Sequence, residues 1–170
     1  ITVTDVNEAP TITSRDTEFT IAENETVIRG ATITATDQDA NDTFTFSVSG
    51  DLLQIGTDGV LSFISAPDFE TTTEAITATV TVTDAAGLTD TQDVTVTVTD
   101  ENEAPTITSS TTAFTIAENQ TAIPNATIIA TDVDANDTLT FEISNRDLVI
   151  DANGVVSFAT APDFETITSV

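Results

Sequence analysis

Hydrophobic and polar residues alternate along most of this chain, most clearly between Ile76 and Val98. Ile76, Ala78, Val80 and Val82 are separated by single threonines, and Val94, Val96 and Val98 resume the pattern after a break at Asp84–Gly87. A period of two puts the apolar residues on one face and the threonines on the other. It predicts two long strands joined by a turn. Shorter runs predict strands near Phe19–Ala22, at Ala31–Thr36, where Ala31, Ile33 and Ala35 share a face, and at Thr43–Val48, where Phe44, Phe46 and Val48 do. Leu52–Ile55 and Val60–Ile64 flank Asp58-Gly59, the signature of a two-residue hairpin turn. No segment carries a helical period. Short alternating runs punctuated by turns predict an antiparallel β-sandwich, with threonine, stiff at χ1 and still polar, on the solvent faces.

The pattern then repeats. Asp5-Val6-Asn7-Glu8-Ala9-Pro10 returns as Asp100-Glu101-Asn102-Glu103-Ala104-Pro105, a period of 95 residues. Ile21-Ala22-Glu23-Asn24 returns as Ile116-Ala117-Glu118-Asn119, and Ala66-Pro67-Asp68-Phe69-Glu70 as Ala161-Pro162-Asp163-Phe164-Glu165. Such self-similarity marks an array of one unit, here large enough to bury its own core. Residues 1–5 read as the last strand of a preceding repeat, 6–100 as one complete repeat, and 101–170 as a second. The second stops at the position matching residue 75 and so lacks counterparts of residues 76–100. Its core and two sheet edges are expected to lie open unless a continuation of the chain, or another chain, completes it.

Composition narrows the function. The 170 residues carry 29 acids against three arginines (Arg15, Arg29, Arg146), a formal charge of −26. That excludes phosphate-neutralising contact with nucleic acid and attraction to anionic membrane surfaces. It also destabilises a compact state unless cations offset it. Hydrophobic residues at 39% and abundant threonine argue against disorder. With no cysteine, neither a disulfide framework nor a thiol site exists. No run of 18 apolar residues spans a membrane, so no direct membrane insertion is expected. Histidine is absent too, which removes the usual general base. Paired carboxylates could hydrolyse a glycoside, but here every acidic cluster recurs in each repeat, which active sites seldom do. A non-enzymatic role is expected. Asn-x-Thr sequons stand at Asn24, Asn41, Asn119, Asn125 and Asn136, with Asn125 the best placed to carry sugar.

The acidic clusters fall where strands end: Glu23, Asp37-x-Asp39, Asp68-x-Glu70, Asp84 and the linker hexapeptide. Ca²⁺ takes six to eight oxygens from carboxylates, amides and carbonyls. In a sandwich whose loops alternate between two poles, Glu23, Asp68 and Glu70 share one pole with the following linker. Asp37, Asp39 and Asp84 share the other with the preceding linker.

These motifs resemble the cadherin repeat in its bacterial tandem form. The linker Asp100–Pro105 is similar to that family's D-x-N-D-N-x-P, Ala22-Glu23-Asn24 to its early glutamate, and Asp68-Phe69-Glu70 to its D-x-E. Ala130-Thr131-Asp132-Val133-Asp134 is similar to its A-x-D-x-D, and Thr83-Asp84-Ala85-Ala86-Gly87 to its A-x-D-x-G. The resemblance implies an all-β chain of tandem seven-stranded Greek-key sandwiches in a linear array, with Ca²⁺ between successive domains. Carried over, one group of ions would be held by Glu23, Asp68, Glu70, Glu103, the Glu101 carbonyl and Asp134. A further ion would be held by Asn102, Asp132, Asp134 and carbonyls near Ala104 and Asn136. At the amino-terminal joint, Asn7, Glu8, Asp37, Asp39 and Asp84 form a half-set.

The resemblance implies an extracellular, secreted extender segment of a surface adhesin or fibre, stiffened by Ca²⁺ and partnered by neighbouring repeats of its own polypeptide. Two alternatives stand beside it. One is a calcium-dependent recognition or homophilic adhesion module. The other is a filament subunit whose second sandwich is completed by strands from an identical chain.

Overall fold

The structure, a computed structural model, describes residues 1–39 and 42–166. All regular secondary structure among these residues is β. The chain divides into two compact units, Ile1–Glu101 and a second beginning at Asn102.

Unit 1 is a sandwich of two sheets. One has the order β2-β9-β8-β5, from Glu18–Ala22 (β2), Thr45–Val48 (β5), Ile76–Thr83 (β8) and Thr89–Thr99 (β9). The other has the order β3-β7-β6, from Val27–Thr32 (β3), Leu53–Ile55 (β6) and Val60–Phe63 (β7). Two short strands, Thr11–Ile12 (β1) and Ala35–Thr36 (β4), pair beside them. The alternation in β8 and β9 does what its period demands. Ala78, Val80, Val94, Val96 and Val98 point inward and pack with Ile28, Leu61 and Phe63 in one buried core, while the intervening threonines face out. Each aliphatic side chain so buried contributes about 1.5–3 kcal/mol.

Three expectations need correction. The sandwich is not wholly antiparallel: β2 runs parallel to β9, with Phe19 opposite Val96 and Ile21 opposite Val98. The strand expected over Ala31–Thr36 divides in two. Ala31 and Ile33 stay buried as the alternation requires, but the backbone changes partner, β3 pairing with β7 and β4 with β1. Hydrogen-bond partners, unlike faces, leave no periodic trace in a sequence.

The third correction is the hairpin at Asp58-Gly59. It closes over three residues, because Ile55 faces Leu61 and the Gly56 N–H donates to Val60 O at 2.9 Å. Gly59 ends the loop with φ 77°, and its carbonyl accepts the Ile33 N–H at 2.8 Å. A Cβ on Gly59 would collide with the Ile33 carbonyl. Gly59→Ala is therefore expected to destabilise unit 1 by about 1–3 kcal/mol, read as a lowered urea midpoint.

Unit 2 repeats half of this plan. Thr106–Ile107 (β10), Ala122–Thr127 (β11), Ala130–Thr131 (β12), Leu148–Ile150 (β13) and Val155–Phe158 (β14) are the counterparts of β1, β3, β4, β6 and β7 at the 95-residue period. They form a β11-β14-β13 sheet and a β10-β12 pair. Residues 113–117 and 140–143, the counterparts of β2 and β5, are not strands. The reason is pairing: in unit 1, β2 bonds only to β9 and β5 only to β8, and residues 101–170 contain no counterpart of either.

The β13–β14 turn is held by a carboxylate. Asp151 Oδ1 accepts the N–H groups of Asn153 at 2.8 Å and Val155 at 2.9 Å. Those backbone bonds, Val155 first, hold the Asp151 carboxyl below the ordinary carboxylate range. A depressed folded-state pKa makes this contribution fully present above the unfolded value of about 3.9 and lost as pH falls through the folded one. Asp151→Ala is expected to lower the thermal midpoint at pH 7 and to leave it unchanged near pH 2, as measured by circular dichroism.

Candidate metal centre

Each unit gathers carboxylates at strand ends, and the backbone explains how. At the amino-terminal pole of unit 1, the Asp84 turn closes through Asp84 N–H to Leu88 O at 3.0 Å. That places the Asp84 side chain inward, only 5% exposed. Its Oδ1 accepts the Leu88 N–H at 2.7 Å and its Oδ2 the Asn7 side-chain amide, also at 2.7 Å. Burial pushes the Asp84 pKa up, but the bonds from Asn7, Leu88, Gly87 and Ala86 outweigh it and hold the carboxyl below its ordinary value. Glu8 N–H donates to Asp39 Oδ2, and Asp39 N–H to Asp37 Oδ1, each at 2.9 Å. Asp37, Asp42 and Asp84 bring one carboxylate oxygen each within 4.8 Å of the others. Asp37 Oδ2 is buried there with no hydrogen-bond partner.

At the opposite pole, the parallel β2–β9 register carries one step past Ala22–Thr99 and sets Asp100 beside Glu23. Glu23 is 3% exposed. Its Oε2 accepts the Phe69 N–H at 2.9 Å and its Oε1 the Glu101 N–H at 3.0 Å. Glu23, Glu70 and Asp100 each offer an oxygen within 4.8 Å of the others. Partial burial raises the Glu70 pKa, its own backbone bond opposes this, and the Glu23 and Asp68 charges add to the rise. Asp68 belongs to the turn instead, its Oδ1 accepting the Thr71 N–H at 3.2 Å.

Unit 2 repeats the amino-terminal arrangement. Asn102 donates its amide to Glu103 O at 2.7 Å, and Glu103 N–H donates to Asp134 Oδ2 at 2.9 Å. Asp132, Asp134 and Asp137 cluster within 4.8 Å, and Asp132 Oδ2 is again buried without a partner. Asn136 sits in the intervening turn at φ 79°, and Ala104 is exposed. A weaker triad, Glu118, Asp163 and Glu165, is exposed throughout.

Three of the expected carboxylate ligands, Glu8, Asp39 and Asp68, thus lie beside the clusters rather than in them. Sequence reasoning left Asp42, Asp100 and Asp137 out of the ligand set. Asp42 and Asp137 close the D-x-D loops, their N–H groups donating to Asp39 O and Asp134 O at 3.5 and 3.4 Å, and Asp42 Oδ1 accepts the Thr43 N–H at 2.8 Å. The signal that could have found them is their recurrence at the repeat period.

The donor set fits a hard divalent cation. All donors are oxygen, the carboxylates crowd without lysine, and Asp37 Oδ2 and Asp132 Oδ2, buried without a hydrogen-bond partner, stand 95 residues apart.

A family model for the bacterial Ig domain matches residues 7–97. The chain belongs to the bacterial Ig domain family. Solved structures similar to this bacterial Ig domain chain are cadherin ectodomains. Drosophila N-cadherin EC1-4 superposes with a TM-score of 0.65 at 21% identity, over 95% of this chain and 43% of that one. Human protocadherin-24 EC1-2 gives 0.60 at 23%, over 91% and 81%. Mouse cadherin-23 EC22-24 gives 0.53 at 21%, over 91% and 55%. At these identities the likeness establishes the fold, a cadherin-like, Ig-like repeat. The chain spans less than half the length of the N-cadherin chain. Among curated proteins, none matches. No helix among the described residues is long and apolar enough to cross a membrane.

Proposed function

We propose that this bacterial Ig domain segment is a structural extender of an extracellular surface protein, stiffened by Ca²⁺ bound where successive repeats join. The observation that carries the reading is the pair of orphaned buried oxygens, Asp37 Oδ2 and Asp132 Oδ2, at equivalent positions of two repeats. A carboxylate oxygen buried without a donor costs stability unless a cation meets it. Glu23 and Glu70 precede the linker Asp100–Pro105 in the chain, Asp100 and Glu103 lie in it, and Asp132, Asp134 and Asp137 follow it. When bound, the dication neutralises carboxylates that otherwise repel one another. Glu23 then orients the linker through Glu101 N–H, and Asn102 and Asp134 hold the chain around Glu103. Extracellular calcium-binding modules bind at about 10⁻⁴–10⁻³ M, the range expected of this chain. Catalysis has no support from a site duplicated in each repeat.

The test is small-angle scattering of the chain with calcium, with EGTA, and with magnesium at equal ionic strength to control for screening. The expected result is a more extended and narrower distribution of distances with calcium alone, lost in Asp134→Ala. A scattering curve indifferent to calcium would overturn the extender reading and favour recognition through the threonine faces.

A further inference from the structure

We propose that Asn153 is a self-modification site, converted to aspartate and isoaspartate through a succinimide, at a rate set by how often the β13–β14 turn opens. Asparagine is a thermolabile residue. The reaction is intramolecular. The backbone nitrogen of the next residue bonds to the asparagine Cγ as the Cγ–Nδ2 bond breaks, and Nδ2 leaves as ammonia with the proton that nitrogen gives up. Water then opens the ring at either carbonyl. A side chain on the next residue obstructs the attack, so glycine, without a Cβ, permits it best. Of the chain's asparagines, only Asn153 precedes a glycine.

The turn presents the reacting pair and restrains it. Asn153 is exposed, and Gly154 is buried behind it with φ 76°. The Gly154 nitrogen is the nucleophile. Its N–H donates to Asp151 O at 3.0 Å, and Gly154 O accepts the Ile128 N–H at 2.8 Å. The Asn153 N–H is held on Asp151 Oδ1 at 2.8 Å, beside that of Val155 at 2.9 Å. A nitrogen whose proton is engaged, between residues anchored on both sides, attacks poorly. Cyclisation therefore proceeds from the opened turn, and Asp151 keeps the turn shut.

Unit 1 shows why the product fits badly. Its equivalent turn is Gly56-Thr57-Asp58-Gly59. There Asp58 Oδ1 accepts the Val60 N–H at 3.2 Å, and a Cβ on Gly56 would collide with that same oxygen. Unit 2 exchanges the two positions. Asp151 stands where Gly56 does and accepts the Val155 N–H, and Asn153 stands where Asp58 does. Each repeat thus carries a carboxylate at one of these positions, and neither carries it at both. Conversion of Asn153 adds the second. It removes an amide that hydrogen-bonds the Asp151 carboxyl and puts a like charge in its place. Isoaspartate also lengthens the backbone by one carbon just ahead of Gly154, whose carbonyl holds Ile128. Modification is a one-way loosening of this turn.

The test holds the folded chain in mildly alkaline buffer at physiological temperature, then unfolds samples and digests them with trypsin. Cleavage after Arg146 leaves Asn153 as the one asparagine in the peptide that follows. Mass spectrometry follows the amide-to-acid change, and isoaspartyl methyltransferase labelling counts isoaspartate. Asn153 is expected to convert faster than any other asparagine, and several-fold faster again in urea, where the turn is open. Asp151→Ala should bring the rate in buffer toward the urea rate. Asp151→Asn keeps an acceptor oxygen and should stay near wild type. A second measurement does not depend on rate. Asn153→Asp should lower the thermal midpoint followed by circular dichroism, and Asp151→Gly with Asn153→Asp, the unit 1 pairing, should recover most of the loss. Conversion at Asn153 no faster than elsewhere would overturn the proposal, as would equal rates in buffer and urea. A midpoint unmoved by Asn153→Asp would overturn the loosening.

Discussion

About 10 mM calcium is expected to raise the thermal midpoint of this chain by roughly 6–20 °C, and Glu23→Gln to remove the share of that rise due to its own cluster. The magnitude follows from linkage. A site with a dissociation constant of about 10⁻⁴–10⁻³ M, bound only when folded, contributes about 1.4–2.7 kcal/mol at that concentration. A domain of this size gains about 4–8 °C per kcal/mol. Glu23 is the informative position because it does two things. Its oxygens accept the Phe69 and Glu101 N–H groups, and it stands with Glu70 and Asp100. Glu23→Ala removes the acceptors as well as the charge, so it also lowers the midpoint in EGTA. Glu23→Gln keeps an acceptor oxygen and loses the charge, so its deficit should appear mainly with calcium present. Calorimetry in both conditions separates the two. Equal calcium increments in wild type and Glu23→Gln would remove Glu23 from the ion site.

Leu61→Ala is expected to cost unit 1 about 2–5 kcal/mol, and Val156→Ala, at the equivalent position, far less. Leu61 is fully buried beneath β8 and β9, and truncation leaves a cavity with packed walls on all sides. Val156 is nearly as buried at 6% exposed, but it borders an apolar groove, so part of its surroundings is already open. The chain has no tryptophan or tyrosine, so far-ultraviolet circular dichroism in urea is the appropriate probe. If the two substitutions cost the same, the groove is filled in solution.

The alternating stretches were legible because a half-buried strand enforces a period of two. Val80, Val82, Val94 and Val96 are among the most buried residues, as their spacing requires. The αL turn positions emerged only from the structure. Asn125 replaces Gly30 at the repeat period, with φ 60° and 76°, an exchange tolerated because both residues enter the left-handed region at low cost. Candidate ligands were legible as motifs, but their grouping was not. Asp100 joins Glu23 through a parallel pairing that nothing in either strand announces. Asp39 accepts the Glu8 N–H as its counterpart Asp134 accepts that of Glu103, yet only Asp134 also stands within its acidic cluster.

By itself, then, the sequence determined the faces of the strands, the repeat and the acidity of the strand ends. These depend on local spacing, and spacing is written along the chain. Tertiary structure alone decided which strands pair, that β2 runs parallel to β9, and which carboxylate oxygens are orphaned. Those outcomes depend on which backbone groups find partners across long loops. Hydrogen-bond complementarity between distant segments has no period to read.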